Sequence, residues 1–198
     1  MRAVAAGNQQ MGAFNNNYHY FVMTGKIAAS GNINTLLNPD PNADVSLEGK
    51  GFCYFRLFSG CTSLTRAPEL PSTTLGDNCY LEMFRDCTSL KSAPKILPAT
   101  NLTMGCYGNM FENCSSLTKA PVFSATTLTD FCCYQMFYNC QSLNYVKVAF
   151  TNWTDNATSY WLDGVSATGT FECPWMLIDN TTERTTSTVP ESWTMVAV

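Results

Sequence analysis

Charged residues are scarce in this chain of 198 residues. Only 13% of them are Asp, Glu, Lys or Arg, whereas roughly 25% is usual in a soluble domain. The surface must therefore be built largely from Ser, Thr, Asn and backbone groups. The net charge of −4 also lacks the basic footprint of nucleic-acid-binding domains, so we expect no nucleic-acid partner.

Long apolar runs are missing as well. No run approaches the ~20 residues that a helix needs to cross a bilayer, and we expect no membrane insertion. The first twenty residues have one Arg but not the apolar core of roughly 7–15 residues that a secretory signal requires. We expect either a trimmed start or release by another route, such as lysis of a host cell by a phage.

Residues typical of catalytic centres are also few. His19 is the single His and lies among aromatic residues, which favours a structural role. No phosphate loop, Gly-x-Ser-x-Gly turn or His/Glu metal motif is present. Carboxylates such as Glu82, Asp86 and Glu112 are predicted to lie on solvated outer faces. The sequence therefore predicts no enzyme, no cofactor and no metal site.

What the sequence has in abundance is repetition. A unit that begins at Cys79 and reads CYLEMFRDCTSLKSAPKIL recurs with variations at Cys53, Cys106 and Cys132, with offsets of 26, 27 and 26 residues. A fixed period of this size predicts a solenoid, because each unit is too small to bury its apolar face except against its neighbours. The second cysteine of every unit keeps the same offsets, at Cys61, Cys87, Cys114 and Cys140.

Ten cysteines in a chain of this length would ordinarily suggest disulfides. Eight of them occupy two fixed positions of the repeat, however, and free Cys is among the most buried residue types. We therefore favour a ladder of buried thiols over disulfides. Zinc is disfavoured because the chain has no Cys-x-x-Cys pair and one His.

Each unit divides into two parts. The segment CYxxMFxxC has apolar residues at helical spacing and predicts one or two helical turns, with Tyr, Met, Phe and Cys facing inward. The segment SLxxAP predicts a short extended stretch that a proline ends. The leucines of this second segment are predicted to form a buried column, at Leu64, Leu90, Leu117 and Leu143.

The ends of the chain depart from the repeat and are predicted to be caps. Tyr18 to Ala28 is dense in aromatic and β-branched residues and predicts a strand. Trp161 and Trp193 are predicted to seal the apolar end, since terminal repeats must be atypical to stay soluble. The expected division is a polar N-terminal arm at 1–17, an N-terminal cap with a degenerate first repeat at 18–52, four repeats at 53–148, and a decayed repeat with a C-terminal cap at 149–198.

The units CTSLTRAPELPSTTL and CTSLKSAPKILPATNL resemble the BspA-type leucine-rich repeats of bacterial surface proteins, which are abundant in gut Bacteroides and their phages. The ending WLDGVSATGTF, followed by VPESWTMV, resembles the usual terminus of those proteins, and the likeness covers residues 20–198. It implies an α/β fold, a right-handed leucine-rich-repeat solenoid with a short parallel β-sheet on one face, short helices on the other, and N- and C-terminal caps. It also implies adhesion or receptor binding, and it carries over no catalytic residue.

Five of the eleven basic residues fall in or beside the SLxxAP segments. Strands of successive repeats lie about 4.8 Å apart, so these side chains are predicted to form a basic stripe that binds an acidic surface polysaccharide. The alternative is that they keep the sheet soluble and block pairing at its edges. A nearby tyrosine could stack on a sugar ring or contact a cap. The predicted ligand-binding residues are Arg66, Lys91, Lys95, Lys119, Lys147 and Tyr145.

These features predict a non-enzymatic recognition or adhesion module that belongs to a phage virion or tail fibre and contacts a bacterial surface. A bacterial cell-surface adhesin and a purely structural assembly component are the alternatives. The expected partner is a cell-surface glycan or protein, and exposed repeat ends are also compatible with a homo-oligomer or a virion assembly. The expected location is the virion or the extracellular cell surface.

Overall fold

Small parallel sheets joined by turns make up most of the structure. A computed structural model describes residues 19–198 apart from Thr24 and Asp155; the predicted arm at 1–17 and the predicted strand start at Tyr18 lie outside this part. Helices are few, and the whole is compatible with an α/β fold. The elements are β1 (Ile27–Ala28), a 3₁₀ helix (Ile33–Leu36), β2 (Leu64–Arg66), β3 (Ile96–Leu97), β4 (Val122–Phe123), β5 (Tyr145–Lys147), β6 (Thr170–Cys173), α1 (Trp175–Asp179) and β7 (Thr194–Ala197).

The strands pair in parallel, in the orders β1-β2, β3-β4 and β5-β6-β7. Parallel neighbours need a long connection between them, and here the connection is the remainder of one sequence repeat. Ile96, for example, pairs with Val122, one period further along the chain. The predicted extended stretches are thus confirmed in β2 and β5. In the second and third repeats the prediction was wrong, because β3 and β4 begin after Pro94 and Pro121 instead of ending before them.

The CYxxMFxxC segments are not helical, and the prediction of helical turns there was wrong. Within the segment that begins at Cys79, the Leu81 N–H donates to the Asn78 carbonyl at 3.1 Å, while the next N–H, of Glu82, donates to Gly108 in the following repeat at 2.9 Å. Every fourth residue has a positive φ, including Asn78 (55°), Glu82 (54°) and Asp86 (61°), which an α-helix of L-residues does not allow.

The reason for this error lies in the period of the turns. A ribbon of four-residue turns buries two adjacent residues in every four, so its apolar offsets of 0, 1, 4, 5 and 8 coincide with those of a helix. The inward orientation predicted for this segment is nevertheless confirmed. Cys79, Tyr80, Met83, Phe84 and Cys87 are each at most 1% exposed.

Aromatic side chains from successive repeats stack through the core. Ring centroids of neighbouring members of the phenylalanine column are 5.0, 5.3, 5.4 and 5.6 Å apart, and a parallel column of three tyrosines has spacings of 5.5 and 5.9 Å. The four predicted leucines are fully buried in the same core cluster. The phenylalanine column consists of Phe21, Phe58, Phe84, Phe111 and Phe137, and the tyrosine column of Tyr54, Tyr80 and Tyr107.

All ten cysteines are free and buried. In the second cysteine column, each thiol donates a hydrogen bond to the carbonyl of a phenylalanine in the preceding turn of the chain. The Cys114 Sγ lies 3.1 Å from the Phe84 O, and the Cys140 Sγ lies 3.0 Å from the Phe111 O. Burial raises the pKa of both thiols. These side chains therefore satisfy the carbonyls of the ladder while they fill the core.

The burial of the thiols predicts a large difference in reactivity between the folded and the unfolded chain. At about pH 8, near the pKa of an ordinary thiol, a disulfide-exchange reagent such as dithionitrobenzoate should label none of the ten in the native protein. In concentrated guanidinium it should label all ten, since the reactive thiolate then forms freely. Fewer than ten labelled thiols in denaturant, without prior reduction, would contradict the free ladder.

The two ends of the described chain agree with the prediction to different degrees. At the N-terminal end, the predicted strand is reduced to β1, because Gly25 turns the chain at a φ of 82° just before it. Residues 19–23 still join the structure, since the Phe21 N–H donates to the Leu57 carbonyl at 2.9 Å. At the C-terminal end, Trp161 and Trp193 are buried as predicted, and β7 closes the chain as a parallel strand.

Candidate functional site

The predicted basic residues lie along one run of paired strand segments. Arg66 ends β2 and forms a parallel bridge to Ser92, and Lys119 forms one to Tyr145. Backbone hydrogen bonds hold both junctions, from Ala67 N to Ser92 O at 2.9 Å and from Asn144 N to Thr118 O at 3.0 Å. Of the six predicted residues, Arg66, Lys91, Lys95 and Lys119 are exposed, and Tyr145 and Lys147 are half-buried.

Four of these residues are brought together around two adjoining depressions. The first, of about 480 Å³, is lined by Arg66 and Lys95 together with Glu69. The second, of about 230 Å³, is lined by Lys91, Lys95 and Lys119. Lys95 borders both, so the two depressions form one track. We call this surface, with its four cations, the basic face.

A cation of the basic face contacts the aromatic ring of Tyr145. The Lys119 Nζ lies 5.3 Å from the centroid of the Tyr145 ring, a cation–π contact worth about 0.5–1 kcal/mol at an exposed site. One face of the ring is therefore covered by Lys119. The contact also orients Lys119 at the end of the basic face.

Lys147 does not share the environment of the other cations. Its Nζ donates a hydrogen bond to the Glu172 Oε2 at 3.0 Å, from β5 to the paired strand β6. This bond raises the pKa of Lys147 and lowers that of Glu172. The charge of Lys147 is thus neutralised by its neighbour, and the structure separates this residue from the basic face.

A second polar cluster lies on the turn side of the molecule, and the sequence interpretation missed it. Glu82 and Glu112, predicted to be solvated, have side chains only 13% and 10% exposed. The Arg85 guanidinium bridges them, with Nη1 at 3.0 Å from the Glu82 carboxylate and Nη2 at 3.1 Å from the Glu112 carboxylate. Arg56 also binds Glu82, at 2.8 Å. The repeat period of the sequence could have indicated this ion pair, because Arg56 and Glu82 are 26 residues apart.

Opposing effects act on the guanidinium of Arg85 in this cluster. Burial disfavours its charged form, but the hydrogen bond to Glu82 and the charges of Glu112 and Asp86 outweigh that effect, and its pKa is raised. We call Arg56, Glu82, Arg85 and Glu112 the turn-side ion network. Its guanidinium and carboxylate groups pair with each other between successive repeats, although the buried Arg85 Nε has no hydrogen-bond partner among the described residues. The network therefore holds repeats together rather than presenting free charge to a ligand.

Three further expectations from the sequence concern His19, metal binding and membrane insertion. His19, predicted to be structural, is exposed. Over residues 19–198 as described, no three His, Cys, Asp or Glu side chains converge as a metal site would require. In the same residues, no helix has the length and apolarity to cross a bilayer.

Comparisons of this chain with protein families, with curated proteins and with solved structures give no match.

Proposed function

We propose that the chain is a right-handed leucine-rich-repeat solenoid of the BspA type, with a cap at each end, and that it acts as a non-enzymatic recognition module. Two observations support the solenoid. Alternate N–H groups of each turn segment donate to the next repeat, and the aromatic columns keep spacings of 5.0–5.9 Å. Both require successive units to lie in register, which is the property that defines such arrays.

The ligand of this module is an acidic polysaccharide of a bacterial surface, and the protein that carries it is a component of a phage virion or tail fibre. A single observation carries the proposal. Among the described residues, the four cations of the basic face form no ion pair, although the chain as a whole is acidic. Within the described chain, four cations beside the single carboxylate of Glu69 leave the basic face with net positive charge, and clustered positive charge raises the local concentration of anionic partners.

The alternative, that these cations only protect the sheet from edge pairing, fits the geometry less well. Edge protection applies to strands with an unpaired side. Arg66 lies in β2, which pairs with β1 on one side and bridges to Ser92 on the other. Lys119 lies between strand segments too. Arg66 therefore sits where the backbone is already paired on both sides.

Serine substitutions on the basic face test this function. Changing Arg66, Lys91, Lys95 and Lys119 together should weaken binding of an acidic polysaccharide about 10- to 100-fold, since an exposed ionic contact is worth about 0.2–1 kcal/mol. A glycan array followed by calorimetry would measure this. Binding should also weaken as salt rises from about 0.1 M to 1 M, because the Debye length shortens.

The matched control is Lys50→Ser, which removes a cation that bonds its own loop at Ser46. This variant should bind as the native protein does. Unchanged binding by the fourfold variant, or equal binding of neutral and acidic glycans, would rule out the basic face. Absence of binding to any glycan would favour a purely structural role in an assembly, and a bacterial surface adhesin would give the same glycan result as a phage component.

A further inference from the structure

The second repeat carries one residue more than its neighbours, and the extra residue falls inside the basic face. From the SLxxAP leucine to the next large apolar residue that is buried, the count is six in the first repeat, Leu64 to Leu70, and six in the third, Leu117 to Phe123. In the second repeat it is seven, Leu90 to Leu97. All six residues are at most 2% exposed, so the extra residue is accommodated between fixed points in the core.

The backbone pairing shows where the extra residue is absorbed. The pairing of Leu97 with Phe123 restores an offset of 26, although the leucines before it are 27 apart. Between these points, no backbone hydrogen bond joins residues 91–94 to 118–120, all of which lie in the described part of the chain. The neighbouring repeats on either side are each joined here by a single parallel bridge with an offset of 26, from Arg66 to Ser92 and from Lys119 to Tyr145.

This arrangement is a bulge in a parallel ladder. One additional residue on one strand leaves local backbone groups unpaired and separates the two strands. The opening is the depression of about 230 Å³ described above, and it lies between residues 91–95 and 118–120. The cleft thus coincides with the inserted residue in the sequence.

The chemistry of this cleft is that of an anion site. Three lysines line it, Lys91, Lys95 and Lys119, and no carboxylate of the described chain does. Ser92 and Thr118 add exposed hydroxyl groups. Its volume is below the roughly 300–1,000 Å³ of pockets that enclose a drug-sized ligand, so it suits one sugar unit rather than a larger molecule.

We propose that this cleft is the subsite that holds the acidic group, carboxylate or sulfate, of one sugar unit in the polysaccharide, while the chain continues along the adjoining depression towards Arg66. The inference rests on the proposed function of the basic face. The lysines supply charge and the hydroxyls supply hydrogen bonds to the ring, and the bulge supplies the space. The specificity of the face then depends on the inserted residue and not on charge alone.

Deletion of Ile96 tests the cleft without removing a charge. The deletion leaves Pro-Lys-Leu-Pro, which matches the Pro-Glu-Leu-Pro of the first repeat (residues 68–71), and it removes a side chain that is 45% exposed. The ladder should close, and affinity for an unsulfated glucuronate-containing oligosaccharide should fall at least tenfold. Ile96→Ala keeps the residue count and should bind within about twofold of the native protein.

A second variant keeps the test decisive if the deletion disturbs folding, which a thermal melt would report. Thr118→Phe fills the cleft from an exposed position and should cause the same loss. A sulfated oligosaccharide of equal length, measured in parallel, distinguishes the two acidic groups: tighter binding of one identifies the group that the cleft holds.

The outcomes separate the cleft from the basic face. Suppose that the folded deletion variant and Thr118→Phe bind as the native protein does, while the fourfold serine variant does not. The proposed role of the cleft is then contradicted, and the proposed role of the basic face is supported. If the fourfold serine variant also binds normally, the proposed roles of the cleft and of the basic face are both contradicted. Loss of binding in all three, with normal binding by Ile96→Ala, supports the cleft.

Discussion

Replacing Phe111 with Ala should lower the free energy of unfolding by about 3–5 kcal/mol, the usual cost of truncating a buried aromatic residue. The Phe111 ring is fully buried and lies between Phe84 and Phe137, with centroid distances of 5.4 and 5.6 Å. Truncation would therefore remove contacts on both faces of the ring at once. It would also leave a cavity between two repeats that cannot bury their apolar faces alone.

Chemical denaturation followed by fluorescence or circular dichroism would measure this loss. The matched control is Phe131→Ala, at a ring that is 44% exposed and outside the column, and it should change the free energy by no more than about 1 kcal/mol. Equal losses in the two variants would contradict the stacked column. A reduced slope of unfolding free energy against denaturant would show that the array had lost cooperativity.

Replacing Arg85 with Met should lower the free energy of unfolding by about 2 kcal/mol. Breaking a fully buried pair costs about 3–5 kcal/mol and an exposed one up to ~1 kcal/mol. The guanidinium is 34% exposed but its two carboxylate partners are only 13% and 10% exposed, so we expect an intermediate cost. The loss arises mainly because Glu82 and Glu112 would be left without their shared cation.

A rescue experiment distinguishes this cause from lost packing. Adding Glu82→Gln and Glu112→Gln to Arg85→Met removes the uncompensated charges and should recover part of the stability, because the three substitutions are coupled. Lys91→Met is the control, since it removes an exposed cation with no ion pair in the described residues, and it should change stability by about 0.5 kcal/mol or less. No recovery in the triple variant would mean that the turn-side ion network contributes through shape alone.

Burial in the core was predictable from the sequence because it depends on properties that each residue carries. Phe84 and Leu90 are apolar, they recur at a fixed period, and any arrangement that stacks the units must enclose them. The free state of the cysteines followed from the same argument, since eight of them share the inward positions of the repeat. The backbone of the turn segments did not follow, because a four-residue turn period and a helical period place apolar residues at the same offsets.

The candidate site shows a similar division. The basic residues could be located beside the strand segments, since SLxxAP marks those segments in the sequence. Their partners could not be located in this way. Lys147 lies on Glu172 and Lys119 lies on the Tyr145 ring, and both contacts join residues about one period apart, at distances that only the fold defines. The one-residue insertion was visible as an offset of 27, but not its effect on the ladder.

The sequence by itself determined the period of this protein, the residues that fill its interior and the concentration of positive charge beside the strands. These depend on composition and recurrence along the chain. Only the tertiary structure decided that every fourth residue of the turn segments adopts a positive φ, that Arg85 is held by two carboxylates, and that the strands part beside Lys95. The physical reason is that each of these follows from hydrogen bonds and ion pairs between successive repeats, whose strength depends on distances in space rather than on positions in the sequence.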